Sequence, residues 1–141
     1  MPLLRIARSV VQEILAHARR DAPREACGLL AGREDAGGAR EIHRAFPCRN
    51  ASSSPAFEYV LHPEDQLRTI LRIEDELSLE ALGVYHSHPR GPPGPSEADA
   101  ARANWPGGSY LVVWLAPSEA WGAWRWDGRA FRAEETDLEA P

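Results

Sequence analysis

The chain has 141 residues, 43% hydrophobic and 26% charged, which is enough for one domain with a buried core and little room for a second. Sixteen basic against 21 acidic residues give a net charge of −5, and the basic residues are scattered, which speaks against a nucleic-acid partner met by a basic stripe. No lysine occurs at all, so mechanisms built on a phosphate-cradling, Schiff-base or kinase lysine are excluded.

Leu3–Ile6 is short and apolar. Ile6, Val10, Ile14, Leu15 and Ala18 then recur at helical spacing, predicting an amphipathic helix over Arg8–Arg20 that ends before Pro23. The compact apolar run Ala26–Gly32 predicts a buried strand, and Ala36-Gly37-Gly38 turns the chain into a weaker strand over Arg40–Phe46. Pro47–Pro55, with three serines in a row at Ser52–Ser54, reads as a mobile surface loop, and the sequence leaves open whether it closes over a cleft. Phe57–Leu61 reads as another strand. Pro63 opens a second helix, with Leu67, Ile70, Leu71 and Leu77 on its apolar stripe and Ile73 off it. Ala81–Ser87 predicts a strand, Ser96–Asn104 a third helix, and Tyr110–Leu115 the most apolar central strand.

Near the C-terminus Asp127-Gly128 signals a two-residue hairpin that would place Trp126 opposite Arg129 and Trp124 opposite Phe131. The organisation expected is one α/β (α+β) domain over residues 1–133, a mixed sheet flanked by three helices, with an acidic, frayed tail over 134–141. The longest apolar run, Tyr110–Ala116, is far short of the roughly 20 residues of a membrane span, and the N-terminus lacks a signal-peptide pattern. A cytoplasmic protein with no membrane partner is the expectation. Cys27 and Cys48 are the only cysteines and form no Cys-x-x-Cys pair, so reduced thiols are expected.

Chemistry concentrates in Tyr85–Asp99. His86 and His88 are two apart on a predicted strand, so both imidazoles project from one face, as a pair of zinc ligands would. Alone, such a pair is more often a pair of surface or core histidines with ordinary hydrogen bonds. Ser96 and Asp99 form a Ser-x-x-Asp helix start, which alone is a capping box. Helical geometry returns the Asp99 carboxylate toward the helix N-terminus, and four prolines and two glycines in Pro89–Pro95 stiffen the connection to the histidines. Three donors held in this way, with a fourth position open, describe a catalytic rather than a structural zinc site.

His-Ser-His-Pro, with ten residues between the second His and an Asp that closes Ser-x-x-Asp, resembles the signature of the JAMM (MPN-plus) zinc metallopeptidases. Pro23–Gly32, with Glu25, resembles the upstream Glu motif of the family's short bacterial branch, and Trp105–Val113 its following strand. The resemblance implies a cytidine-deaminase-like MPN domain with a mixed, curved sheet. It implies one Zn²⁺ held by His86, His88 and Asp99, with water in the fourth place. Glu25 would take a proton from that water and return it to the leaving amine, and Ser96 would hydrogen-bond the developing oxyanion. From local sequence alone, Glu25 reads as a solvated charge after a proline turn. The implied substrate is a ubiquitin-like sulfur-carrier protein, cleaved after its terminal Gly-Gly, and a homodimer is compatible with the family. The rival is a non-catalytic scaffold of the same fold, which the presence of all five signature residues disfavours. A nucleobase deaminase needs His-x-Glu together with Pro-Cys-x-x-Cys, and that combination does not occur: Pro47-Cys48 lacks the second cysteine. His17 and His43 read as surface residues, His62 as a cap-region residue, Cys27 as packing near the site, and Trp105 as a neighbour of the cleft.

Overall fold

A computed structural model describes residues 2–139. Its elements are β1 (Leu3–Ala7), α1 (Arg8–Asp21), β2 (Cys27–Glu34), β3 (Arg40–Cys48), α2 (Pro63–Leu71), β4 (Glu80–His88), α3 (Glu97–Arg102), β5 (Ser109–Trp114), β6 (Ala120–Trp126), β7 (Phe131–Ala133) and β8 (Glu135–Glu139). The eight strands form one mixed sheet in the order β7-β6-β5-β4-β2-β3-β1-β8. None of the described helices is long and apolar enough to cross a membrane.

The central strands are apolar on both faces because both are covered. On one side Val10, Val11, Ile14 and Ala18 of α1 pack on Leu30, Tyr85, Leu111 and Val113. On the other, Leu29, Phe46, Val84, Tyr110 and Trp126 meet Ile73 and the partly buried Ile70 and Leu77. Gly28 is required at its position: a Cβ there would lie 2.2 Å from the Phe46 carbonyl oxygen and 2.3 Å from the Tyr85 ring. That gap lets the Tyr85 side chain cross β2 and reach α1.

Several expectations are corrected. Ile73, off the α-helical stripe, is fully buried, because α2 gives way to a π-helical segment over Arg72–Glu76 whose wider turn rotates Ile73 inward. Phe57–Leu61 is not a strand; only Leu61 makes an isolated bridge, to Asn50. The hairpin is two residues out of the expected register: Asp127 N–H bonds to the Ala130 carbonyl, so Trp126 faces Phe131 and Trp124 faces Ala133. The Asp127 carboxylate accepts from the Arg129 and Ala130 N–H groups, which favours this longer turn. His17 is buried, not at the surface. Its Nδ1 lies 2.7 Å from the Tyr85 hydroxyl and its Nε2 3.1 Å from Asp21. A carboxylate only accepts, so Nε2 carries the proton and Nδ1 accepts from Tyr85.

Nor are residues 134–139 of the expected tail frayed, since Glu135–Glu139 pairs in parallel with the whole of β1; Ala140 and Pro141 lie outside the described residues. β7 and β8 are separated by Glu134 alone yet lie at opposite ends of the strand order. The Glu134 N–H bonds to Ala123 in β6, and the next N–H, of Glu135, bonds to Pro2 beside β1. One residue therefore joins both edges, so the sheet curls until it almost closes. The buried Glu134 carboxylate, 2.8 Å from Arg125, sits at this seam, and Arg125 also donates to the Gly38 carbonyl.

Candidate active site

His86 and His88 lie at the C-terminal end of β4, on the face carrying Val84 and Tyr110. Cys27 is the register partner of His86, and Glu25 precedes it by two residues on β2's approach. The donor atoms of Glu25, His86 and His88 all lie within 4.8 Å of one another. Asp99 enters from α3. Its Oδ2 is 3.1 Å from His86 Nε2 and 3.0 Å from His88 Nε2, and those two nitrogens are 3.2 Å apart. Two ligands about 2.0–2.1 Å from one ion at a tetrahedral angle stand about 3.3 Å apart, so this spacing is close to what a shared cation imposes.

Proton bookkeeping points the same way. His88 Nδ1 is 3.0 Å from the Pro92 carbonyl, which only accepts, so Nδ1 carries a proton and the neutral ring presents its Nε2 lone pair to a carboxylate and a second imidazole. A positive centre resolves that confrontation. Burial opposes charge on His88, but Asp99 and the Pro92 carbonyl outweigh it and raise its pKa; the field that draws a proton there draws a cation equally. Burial lowers the pKa of His86. Burial also opposes the Asp99 charge, yet both histidines and the Ser96 N–H hold its carboxyl well below the usual range.

Ser96 caps α3 in a complete capping box: its Oγ accepts from the Asp99 N–H at 3.1 Å, and Asp99 Oδ2 accepts from the Ser96 N–H at 2.9 Å. The cap is thus also the device that aims Asp99. Because Ser96 Oγ uses a lone pair on Asp99, its own hydroxyl proton stays available. Glu25 is 6% exposed and its Oε1 has no partner among the described residues. Burial, with Asp99 and Glu58 adding to it against the opposing pull of His88, pushes its pKa up to about 7. Glu25, His88 and Ser96 line one cavity of about 300 Å³.

Compared with known proteins, residues 7–127 match the family described as prokaryotic homologs of the JAB domain. The chain belongs to that family. It is 39% identical over 133 residues to a desampylase of Haloferax volcanii, covering 92% of this chain and 91% of the relative. It is also 39% identical over 111 residues to the CysO-cysteine peptidase of Mycobacterium tuberculosis, covering 79% and 73%. A probable TtuB-protein conjugate cleaving protease of Thermus thermophilus is 39% identical over 103 residues, covering 73% and 65%. Among solved structures, a Desulfitobacterium hafniense protein superposes with a TM-score of 0.87 at 33% identity, over 98% of this chain and 94% of that one. A JAB1/MPN domain protein of Archaeoglobus fulgidus, at 20% identity and a TM-score of 0.59 over 96% and 99%, shares the fold. By family and by these relatives, the chain is a peptidase.

Around this JAB-domain centre stand residues that sequence reasoning missed. The Tyr59 ring stacks on His86 at 4.3 Å between centroids. Asn50 ties the following loop to Glu25. Its Nδ2 donates to the Glu25 and Glu58 carbonyls, each at 3.0 Å, and its Oδ1 accepts from the Ser52 and Val60 N–H groups. The Glu25 N–H in turn donates to the Pro55 carbonyl at 2.7 Å. Local sequence around Asn50 carries no sign of this, since its partners are dispersed over 35 residues. Cys27 is fully buried, with its thiol against the Cys48 and Arg49 carbonyls and its pKa pushed up to about 12 by burial, so it packs. Trp105 lies in the second core cluster and lines a neighbouring cavity with Tyr59 and Tyr110.

Proposed function

We propose that this chain is a zinc peptidase hydrolysing the bond after the C-terminal Gly-Gly of a ubiquitin-like sulfur-carrier protein. His86, His88 and Asp99 hold the zinc, Glu25 is the general base and acid, and Ser96 donates to the oxyanion. The reading is carried by one observation: two imidazoles and a carboxylate converge within 3.2 Å beside a buried, unpartnered Glu25. Two nitrogen ligands and one oxygen ligand from rigid elements suit tetrahedral zinc with one open position.

A zinc ion held there supplies Lewis acidity, polarising a carbonyl and easing deprotonation of water near neutral pH. Glu25 Oε1 takes the proton of the attacking water and hands it to the leaving amine nitrogen. A carboxylate with a pKa of about 7 suits both transfers, being basic enough to accept and acidic enough to give back. The free Ser96 hydroxyl proton points the cap's dipole at the carbonyl oxygen as that oxygen gains charge. A Gly-Gly tail brings no side chains into so narrow a cleft and leaves its backbone free to bond with the extended loop beside it. The relatives named for cleaving TtuB conjugates and CysO-cysteine support a carrier substrate. The two buried free thiols agree with action in the cytoplasm.

Elemental analysis of zinc-reconstituted protein, alongside cleavage of carrier fusions extended beyond Gly-Gly, tests the proposal. Wild type and Glu25→Gln are expected to hold about one zinc each, and the variant to lose on the order of 10²–10⁴ in turnover. Full activity in Glu25→Gln ends the base assignment, and a well-folded chain that takes up no zinc ends the metal assignment.

A further inference from the structure

The cavity that holds Glu25 and Ser96 has a second feature that hydrolysis alone does not use. Its wall includes Arg90, the only arginine among the described residues lining it, and Phe57 from the opposite loop. The Arg90 guanidinium lies 4.7 Å from the centre of the Phe57 ring. Phe57 is 70% exposed, so its ring serves no core; it reaches across the cleft mouth and braces the arginine. The guanidiniums of Arg49, Arg102 and Arg125 each meet a carboxylate, whereas that of Arg90 meets none among the described residues. In a protein of net charge −5, an unpaired cation beside the reacting centre is placed to attract an anionic group of the substrate.

The backbone fixes its place. The Gly91 N–H bonds to the His88 carbonyl at 3.1 Å, closing a turn that carries Arg90, and the Pro92 carbonyl is the group that orients the His88 ring. Gly91 has φ of +75°, which a side chain would disfavour. The loop that sets His88 therefore also sets Arg90.

Glu25 delivers its proton to the leaving nitrogen, so the departing group occupies the cavity that Glu25 faces. Resting on the peptidase reading above, we propose that Arg90 receives the free α-carboxylate of a single amino acid joined to the carrier's terminal glycine. In such a substrate the carboxylate carbon is two bonds from the leaving nitrogen, within reach of a guanidinium on the same cavity wall. A lysine side-chain amine in a protein conjugate carries no carboxylate there, its own being a backbone amide six bonds away. A cavity of about 300 Å³ also matches a residue or two rather than a folded acceptor. Arg90 thus sets leaving-group specificity, preferring a carrier–amino-acid adduct to a carrier–protein conjugate.

The test uses a Gly-Gly carrier protein extended by one alanine, prepared as the free acid and as the carboxamide. Zinc-loaded wild type is expected to favour the free acid at least about tenfold in kcat/KM, the scale of a charge-assisted pair of hydrogen bonds. In Arg90→Gln that ratio falls to about one, and Arg90→Lys, which keeps the charge without the fork, gives an intermediate ratio. A ratio near one in wild type, or an unchanged ratio in Arg90→Gln, overturns the proposal while leaving the peptidase reading standing. Cleavage of neither substrate by wild type overturns both. Melting temperatures of the variants accompany the kinetics, and a ratio is insensitive to any loss of active protein.

Discussion

Asn50 offers the sharpest perturbation because all four hydrogen bonds of its amide organise the base. Two go from its NH₂ to the Glu25 and Glu58 carbonyls and two come to its Oδ1 from Ser52 and Val60, all at 3.0 Å. Each is worth about 1 kcal/mol net, and the site is half-buried, so water recovers part of the loss. Asn50→Ala is therefore expected to destabilise by about 2–3 kcal/mol, which in a chain of this size lowers Tm by roughly 8–12 °C. Asn50→Asp keeps the two accepted bonds and turns an oxygen toward two carbonyls, so the loop holds while its grip on Glu25 goes. A base displaced by about 1 Å costs on the order of 10² in rate. Both variants should lower kcat about 10- to 100-fold with little change in KM, with Asp less destabilising than Ala. Thermal unfolding beside steady-state cleavage of a Gly-Gly carrier fusion measures both quantities. Wild-type kcat in Asn50→Asp, with Tm unchanged, refutes the reasoning that the loop positions Glu25 through its carbonyl.

Two further outcomes are expected. Asp99→Ala removes one of three converging donors and half of the α3 capping box; zinc per chain should fall far below one while circular dichroism retains the fold, and tight stoichiometric zinc in the variant excludes Asp99 as a ligand. Burial lowers the pKa of His17 below its ordinary 6.5. Above that pH both folded and unfolded chains hold it neutral; below it the unfolded chain takes a proton that the folded protein refuses, and stability falls by up to about 1.4 kcal/mol per pH unit until the folded pKa is reached. Urea midpoints at pH 7.5 and 5.5 should therefore diverge less in His17→Gln than in wild type, and equal divergence rejects this origin.

The grouping of His86, His88, Ser96 and Asp99 was legible because each half of it is local, whereas Glu25, 61 residues before His86, joined it only through the family resemblance. Strand alternation puts both histidines on one face, and a helix cap turns Asp99 back toward them. Elements with strong periodicity, such as α1 and β5, were legible for the same reason. What escaped depends on distant partners. The burial of His17 follows from Tyr85, 68 residues away, crossing a gap left by Gly28. Phe57–Leu61 alternates like a strand but is held by Asn50 and an isolated bridge instead of a neighbouring strand. Ile73 comes inside only because the helix changes pitch. The acidic composition of Glu135–Glu139 reads as solvated, and nothing local shows that β1 needs a parallel neighbour on its open side.

That last pairing has a consequence for how the molecule is made. β1 gains its second neighbour only when residues 135–139 exist, so a nascent chain emerging N-terminus first carries β1 with an open edge until those residues are made. Pairings such as Leu3 with Glu135 join residues far apart in sequence, and such contacts form slowly. Meanwhile β1 alternates buried Leu4 and Ile6 with half-buried Leu3, Arg5 and Ala7, an edge well suited to pairing with the wrong strand. The completed β8 ends that exposure. Its outward row of Glu135, Asp137 and Glu139 presents charge to any further strand, and Arg5 ties the last two of these to β1. The acidic terminus therefore works as a clasp that fastens the curled sheet and closes it to other chains.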